Sequence, residues 1–357
     1  MRFLVPLLLF FRLLFAMSEQ EIDSYIVQNS DHFELLKSEP QRVYGSTPPL
    51  LYLLYALAPE KVAGLTFEFN NFEIPYIAES VRKQPVVGGF FGQGKIPNIE
   101  MLLRLDPELI LVNASSQRFK KAKEMFGSVK KPMLYLNSYT LEDYIISLEV
   151  LGHVLNRQER ANKLVAYARE SLRLSKKLEE HIKTHNIKKP TIYYAQGSDG
   201  LQTECDGSLH VIVVNYSGGE VPYKCAKQGN EYGRMSVSFE QVLGFDPDMI
   251  IIHEREFYNK IYNDPKWKLL RAVQQKRAYL IPREPFSWFD RPPSFMRFLG
   301  LKWLINLAHP EVFHFDMERE MKEFYQLFLG ITLDDSTIKR ILEGGNRSDS
   351  VVKRGAR

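Results

Sequence analysis

Cysteine is scarce in this chain: its 357 residues hold two, Cys205 and Cys225. Without a CxxC spacing they suit neither a thiolate zinc site nor a reactive nucleophile. They lie 20 residues apart in a Gly-rich, polar stretch. In an oxidising compartment a bridge closing that loop stabilises by roughly 3 kcal/mol. Two unpaired small buried residues are the alternative.

A large charge of one sign is also missing. The formal net charge is +4, with 47 Lys and Arg set among 43 Asp and Glu. No basic face with interleaved aromatics emerges, which argues against nucleic-acid binding. No apolar run reaches the ~20 residues that span a bilayer. Residues 1–16, MRFLVPLLLFFRLLFA, have a basic start, an apolar middle and a small residue at the end, the pattern of a secretory signal peptide. Arg12 interrupts the run and Leu14 stands where a small residue is usual, so Met17 as initiator is the alternative. No Cys follows for lipid attachment, and a soluble, monomeric periplasmic protein is expected. Catalytic signatures are absent too, with no GxSxG elbow, no HExxH and no nucleotide loop. A non-enzyme is expected, the alternative being a metal-using enzyme or chelatase on the same scaffold, suggested by His253 beside Glu254.

What the sequence does hold is ordinary globular composition, 45% hydrophobic and 25% charged, at a length that favours two domains. It also holds an internal repeat with an offset of 140. Residues 98–112, NIEMLLRLDPELILV, align with residues 238–252, SFEQVLGFDPDMIII. In each copy a capping residue (Asn98, Ser238) opens a short helix, with an acidic residue two places on (Glu100, Glu240) that suits the helix dipole. Asp-Pro ends the helix because Pro disfavours helical backbone in the residue before it. An apolar run of strand length follows (Leu109 to Val112, Met249 to Ile252), as for a buried parallel strand. Further strands are expected at Lys131 to Leu136, Pro190 to Tyr194 and Ala278 to Ile281.

The expected fold is therefore α/β, with two similar lobes, each a small mostly parallel sheet with flanking helices, joined by a long backbone helix. Residues 141–188 have Gly152 as their only Gly or Pro. Their apolar spacing predicts one or two long helices, the second running from Gln158 to about Lys183. The boundaries read 1–16 for the signal peptide, 17–140 for the N-terminal lobe and 141–188 for the connecting helix. The C-terminal lobe takes 189–330, and a C-terminal helix and disordered tail take 331–357.

In open α/β sheets ligands bind beyond the carboxyl ends of the strands. That rule selects Ser46 and Thr47 after one strand and Asn113 to Ser115 after another. In the second half it selects Gln196 to Asp199 and His253 to Arg255, and the repeat lets the Asn113 and His253 triplets face each other across a cleft. His253 is the one metal-ligand candidate, a hydrogen-bonded strand-end histidine without metal being the other reading. Residues 88–94, GGFFGQG, put Phe90, Phe91 and Gln93 among four glycines, either a binding loop or a plain turn. The segment 283–294 adds Trp288 and Arg291: aromatic area for flat ligand surfaces and a planar fork for carboxylate or catecholate oxygens. It also fits a Pro-rigid turn with a core Trp and an Asp290–Arg291 pair.

With the repeat and the helix in place, the chain resembles the class III periplasmic binding proteins that serve ABC importers of iron-siderophore, haem, cobalamin or nickel complexes. The segments GGFFGQGKIPNIE, TECDGSLH and PFSWFDRPPSFMRFLGLKWL resemble its iron and nickel chelate branch, as in Helicobacter and Campylobacter. The resemblance implies capture of an Fe(III) or Ni(II) chelate, with no covalent cofactor, and delivery to an inner-membrane permease. It implies that Glu100 and Glu240 dock on permease arginines. Ser46, Thr47, Phe90, Phe91, Gln93, Asn113, Arg255, Trp288 and Arg291 are the expected ligand-binding set, and Cys205 and Cys225 a candidate disulfide.

Overall fold

A computed structural model describes residues 16–91, 95–115, 118–225, 233–344 and 353–354. Gln93, all of the expected signal segment but Ala16, and most of the expected tail lie outside the described residues.

Two compact units emerge. The first comprises 1–170, 324–332 and 352–357, the second 171–323 and 333–351. The first opens with α1 (Glu19–Gln28), capped by Ser18, whose hydroxyl accepts from the Glu21 N–H while Glu21 reaches back to the Ser18 N–H. Strand β1 (Val43–Gly45) leads into α2 (Pro48–Leu57). The repeat supplies α3 (Ile99–Leu105) and β2 (Leu109–Asn113), followed by β3 (Met133–Leu136). These strands pair in parallel, β1 on β2 and β2 on β3, and the two-residue stretch Ser30–Asp31 adds an antiparallel edge to β3. All residues of β1, β2 and β3 are buried, as a sheet covered on both faces requires. Tyr44, Leu102, Ile110, Phe126 and Met133 form the core on one side.

Helices α4 (Leu141–Val154) and α5 (Gln158–Thr184) follow with three residues between them. A side chain on Gly152 would place its Cβ 2.3 Å from Ala161 Cβ, so this hairpin closes only with glycine there. The expected long helix is α5, 27 residues, about 40 Å at 1.5 Å per residue. The division between the units falls inside it, after Glu170. Segment 141–188 is thus no separate connector: α4 and the first half of α5 belong to the first unit.

In the second unit, β4 (Ile192–Ala195), β5 (Met249–Ile252) and β6 (Ala278–Leu280) form an all-parallel sheet in the order β4-β5-β6. Helix α6 (Phe239–Phe245) precedes β5 as α3 precedes β2. Ile250, Ile252, Phe257, Trp267 and Leu270 fill the core beneath it. Next come α7 (Arg255–Ile261) and α8 (Arg297–Ala308), then α9 (Met317–Leu329) and α10 (Asp335–Leu342). Residues 324–332 return to the first unit instead of ending the second lobe. The reason is aromatic: Phe324 and Phe328 pack edge-on to Tyr167, and Tyr325 to Tyr76.

Inside α8, Gly300 lies so close to the Trp288 carbonyl that an added Cβ would sit 2.1 Å from its oxygen. Gly300→Ala is expected to lower stability by about 1–3 kcal/mol through overpacking, although alanine is the better helix former. Denaturant unfolding measures it.

Candidate functional site

At the carboxyl end of β1 the chain turns into α2. Ser46 N–H donates to the Leu111 carbonyl and the Ser46 carbonyl accepts from Phe90 N–H, fixing the turn against the 88–90 loop. Gly89 permits the approach, since a Cβ there would meet Ser46 O at 2.9 Å. Thr47 is the N-cap of α2, but its hydroxyl makes no capping bond, and Pro48 and Pro49 open the helix without N–H groups. Ser46 Oγ, Thr47 Oγ1 and Thr66 Oγ1 are buried and have no hydrogen-bond partner among the described residues. A buried hydroxyl without a partner costs about 1–3 kcal/mol, so three of them are an open demand for acceptors.

Asn113, at the end of β2, is already engaged. It donates to Ser138 Oγ at 2.8 Å and accepts from Ser115 Oγ at 2.7 Å. Two aromatic expectations need correction. Phe90 is buried and stacks edge-on to Phe126 in the core. Trp288 is fully buried and edge-on to Trp303, its backbone N–H tied to the Pro282 carbonyl. Each is an interior residue of its own unit. Phe91 is half-buried, with the Lys95 ammonium 4.9 Å from its ring centre.

The second unit gathers a charged network at its strand ends. Tyr194, on β4, donates to Asp290 Oδ1 at 2.6 Å and stands 3.1 Å from His253 Nδ1. His210 Nδ1 lies 2.5 Å from Asp290 Oδ2. Arg291 donates from Nε to Gln196 Oε1 at 2.6 Å and pairs with Glu204 through its terminal nitrogen. Ser208 donates to the other Glu204 oxygen at 2.9 Å. Arg234 completes the set, bonding Gln196 at 3.1 Å and Glu254 at 2.9 Å. Two guanidinium groups therefore share one amide oxygen. The Cys205–Cys225 disulfide borders this network, one residue after Glu204.

Burial pushes the Asp290 carboxyl up, but the positive field of His210 and Arg291 outweighs it and holds the group well below the usual carboxylate range. Burial drives His253 down to about 3, helped by the nearby Arg283 charge. His253 is thus a neutral ring facing Tyr194, and the described residues contain no group of three His, Cys, Asp or Glu side chains placed to hold a metal. Arg255, at the start of α7, points elsewhere, toward the Glu343 carbonyl at 3.4 Å. Of the expected residues, the structure brings Arg291 to a polar centre and joins Ser46 to Thr47. Glu204, His210, Arg234 and Thr66 were missed. The first two sit in the TECDGSLH segment, whose Cys and two acids were the available signal, while Arg234 follows a polar loop with none.

The periplasmic binding protein family model matches residues 81–285, more than half of the chain. This chain belongs to the periplasmic binding protein family. An ABC transporter solute-binding protein from Sulfurospirillum deleyianum shares the fold with a TM-score of 0.80 at 32% identity, over 86% of this chain and 95% of that one. The molybdate-binding protein MolA of Haemophilus influenzae is 24% identical over 260 residues, 65% of this chain and 69% of its own length. A Helicobacter pylori CeuE complex with nickel and histidine shows the same fold, TM-score 0.63 at 16% identity, over 86% and 95% of the two chains. The binding-protein fold thus accounts for the paired α/β units, and no helix among the described residues is long and apolar enough to cross a membrane.

The network predicts an acid limit. His253, with its folded pKa below the unfolded value near 6.5, leaves the unfolded state binding the extra proton between about pH 6.5 and 3. Its contribution is full above that window and is lost as pH falls through it, with a slope approaching about 1.4 kcal/mol per pH unit. Asp290, also depressed, adds a loss as pH falls below about 3.8. Melting temperature should therefore drop between pH 6.5 and 4, and His253→Gln should flatten that stretch.

Proposed function

We propose that this binding protein is the extracytoplasmic solute receptor of an ABC importer, and that its cargo is an anionic metal species presenting oxygen atoms. A ferric siderophore or an anionic nickel chelate fits, as does a metal oxyanion of the kind named for MolA. One observation carries the reading: Arg291 and Arg234 converge on Gln196 Oε1, each braced by a carboxylate and each partly open to solvent, with side chains 23% and 35% exposed. Arginine forks match carboxylate, catecholate and oxyanion oxygens in a plane. The three unsatisfied hydroxyls at Ser46, Thr47 and Thr66 support the same chemistry, since hydroxyls donate to anionic oxygen. Direct coordination by His253 finds no support in a buried ring bonded to Tyr194. The metal, on this reading, keeps its own ligands.

Isothermal titration calorimetry with molybdate, nickel-histidine and a ferric catecholate tests the class, alongside metal analysis of the purified protein. Micromolar binding of one of them, weakened at least tenfold by Arg234→Gln, is expected, a charged hydrogen bond contributing about 1.5–3 kcal/mol. No response to any of the three, or equal affinity in the variant, would sink the anion reading.

The partner reading is that Glu100 and Glu240 meet cationic groups of the permease. Both carboxylates are exposed in the first turn of their helices, α3 and α6. The pair Glu100→Gln and Glu240→Gln should abolish uptake of the metal that co-purifies, with affinity for it unchanged. Lost affinity in that double variant would reassign the carboxylates to the ligand.

A further inference from the structure

The two copies of the repeat form an alignment inside one chain. Across residues 98–112 and 238–252 the identities are Glu100/Glu240, Leu103/Leu243, Asp106/Asp246, Pro107/Pro247 and Ile110/Ile250. Folding explains three of these pairs. Ile110 and Ile250 are fully buried in their sheets. Asp106 and Asp246 close their helices in left-handed backbone, and the prolines stop helix continuation. Glu100 and Glu240 are covered by the docking reading. Leu103 and Leu243 remain, and they are 49% and 43% exposed, among the few large apolar side chains left open to solvent.

Neither leucine is kept by the core. The core residues of these helices are Leu102 and Val242, one position earlier, both fully buried. The exposed position that follows has diverged, Arg104 against Gly244, and the half-buried Met101, packed on the core, is replaced by an exposed Gln241. Each leucine stands three residues after its glutamate, on the same helix face. An exposed Leu costs nothing singly, but the same exposed Leu beside the same exposed Glu in both units is a motif that folding does not require.

We propose that Leu103 and Leu243 are apolar contacts for the importer's permease, each forming with Glu100 or Glu240 one charged-plus-apolar peg. This rests on the docking reading and extends it. The fitting partner surface carries a cation beside an apolar pocket, and carries it twice. The glutamate selects the cation, while the leucine contributes affinity by leaving water on contact.

The test measures binding of fluorescently labelled protein to the cognate importer in lipid nanodiscs. L103Q/L243Q should weaken binding at least about tenfold, from burial of two half-exposed leucines. Each single change should fall between, and Leu→Met at both positions should restore it. Melting temperature should stay within about 2 °C of wild type, as for exposed positions. Binding within twofold of wild type would overturn the proposal. So would loss of binding accompanied by a fall of several degrees in melting temperature in both the glutamine variant and Leu→Ala at both positions, which would make the leucines structural. The docking reading fails separately, if E100Q/E240Q binds the importer as wild type does.

Discussion

Asp106 and Asp246 each end a seven-residue helix in left-handed backbone, with φ of 48° and 37°. The corner they make decides where each sheet begins. After it, Glu108 and Leu109 N–H groups both reach the Arg42 carbonyl, and Asp248 and Met249 N–H groups both reach the Thr191 carbonyl. Those bonds start the parallel register, Leu109 opposite Val43 and Met249 opposite Ile192. A one-residue slip would turn every buried side chain to the opposite face. Surface charges trim the corner: Lys131 sits 2.5 Å from Asp106 and Arg271 2.9 Å from Asp248. At partly exposed positions such pairs contribute only about 0.2–1 kcal/mol, so the backbone bonds and the buried strands set the geometry. Strand ends, and the polar groups that follow them, are placed as a consequence.

The second unit then spends burial on charge. Asp290 and Glu204 are fully buried carboxylates, an expensive state unless the charge is matched and hydrogen-bonded. Tyr194, His210 and Arg291 match Asp290, while Arg291, Gln196 and Ser208 match Glu204. Arg291 is common to both, itself in left-handed backbone at φ 63°. Its fork is held by Gln196 and Glu204. The disulfide beside Glu204 ties down the loop that supplies this brace.

Much of the architecture was legible because it is local. The strands at 109–113, 133–136, 192–195, 249–252 and 278–280 coincide with apolar runs between turn signals, and α5 follows an unbroken helical period. What escaped depends on distance along the chain. Phe324 and Tyr325 look like the end of the second lobe until their rings are seen against Tyr167 and Tyr76. For Trp288 the sequence leaves two readings open, ligand surface or the core of a Pro-rigid turn, and the side chain is fully buried. The close approach of the Trp288 backbone carbonyl to Gly300, 12 residues on, is marked by no local pattern. Arg234 and Glu204 meet through Gln196, and a spacing rule has no access to such a triangle.

The two halves have also kept different things. At the strand ends, Asn113-Ala114-Ser115 in one copy stands against His253-Glu254-Arg255 in the other. The first is a closed set of hydroxyl and amide bonds, and the second opens into a charged network. On the outer faces of α3 and α6, by contrast, Glu and Leu recur at matching positions with matching exposure. Retention there fits a partner that offers both units the same surface. Divergence at the strand ends and identity on α3 and α6 are opposite outcomes for one duplicated unit, and the short helix–turn–strand corner allows both by putting the two sets of side chains at opposite ends of the same element.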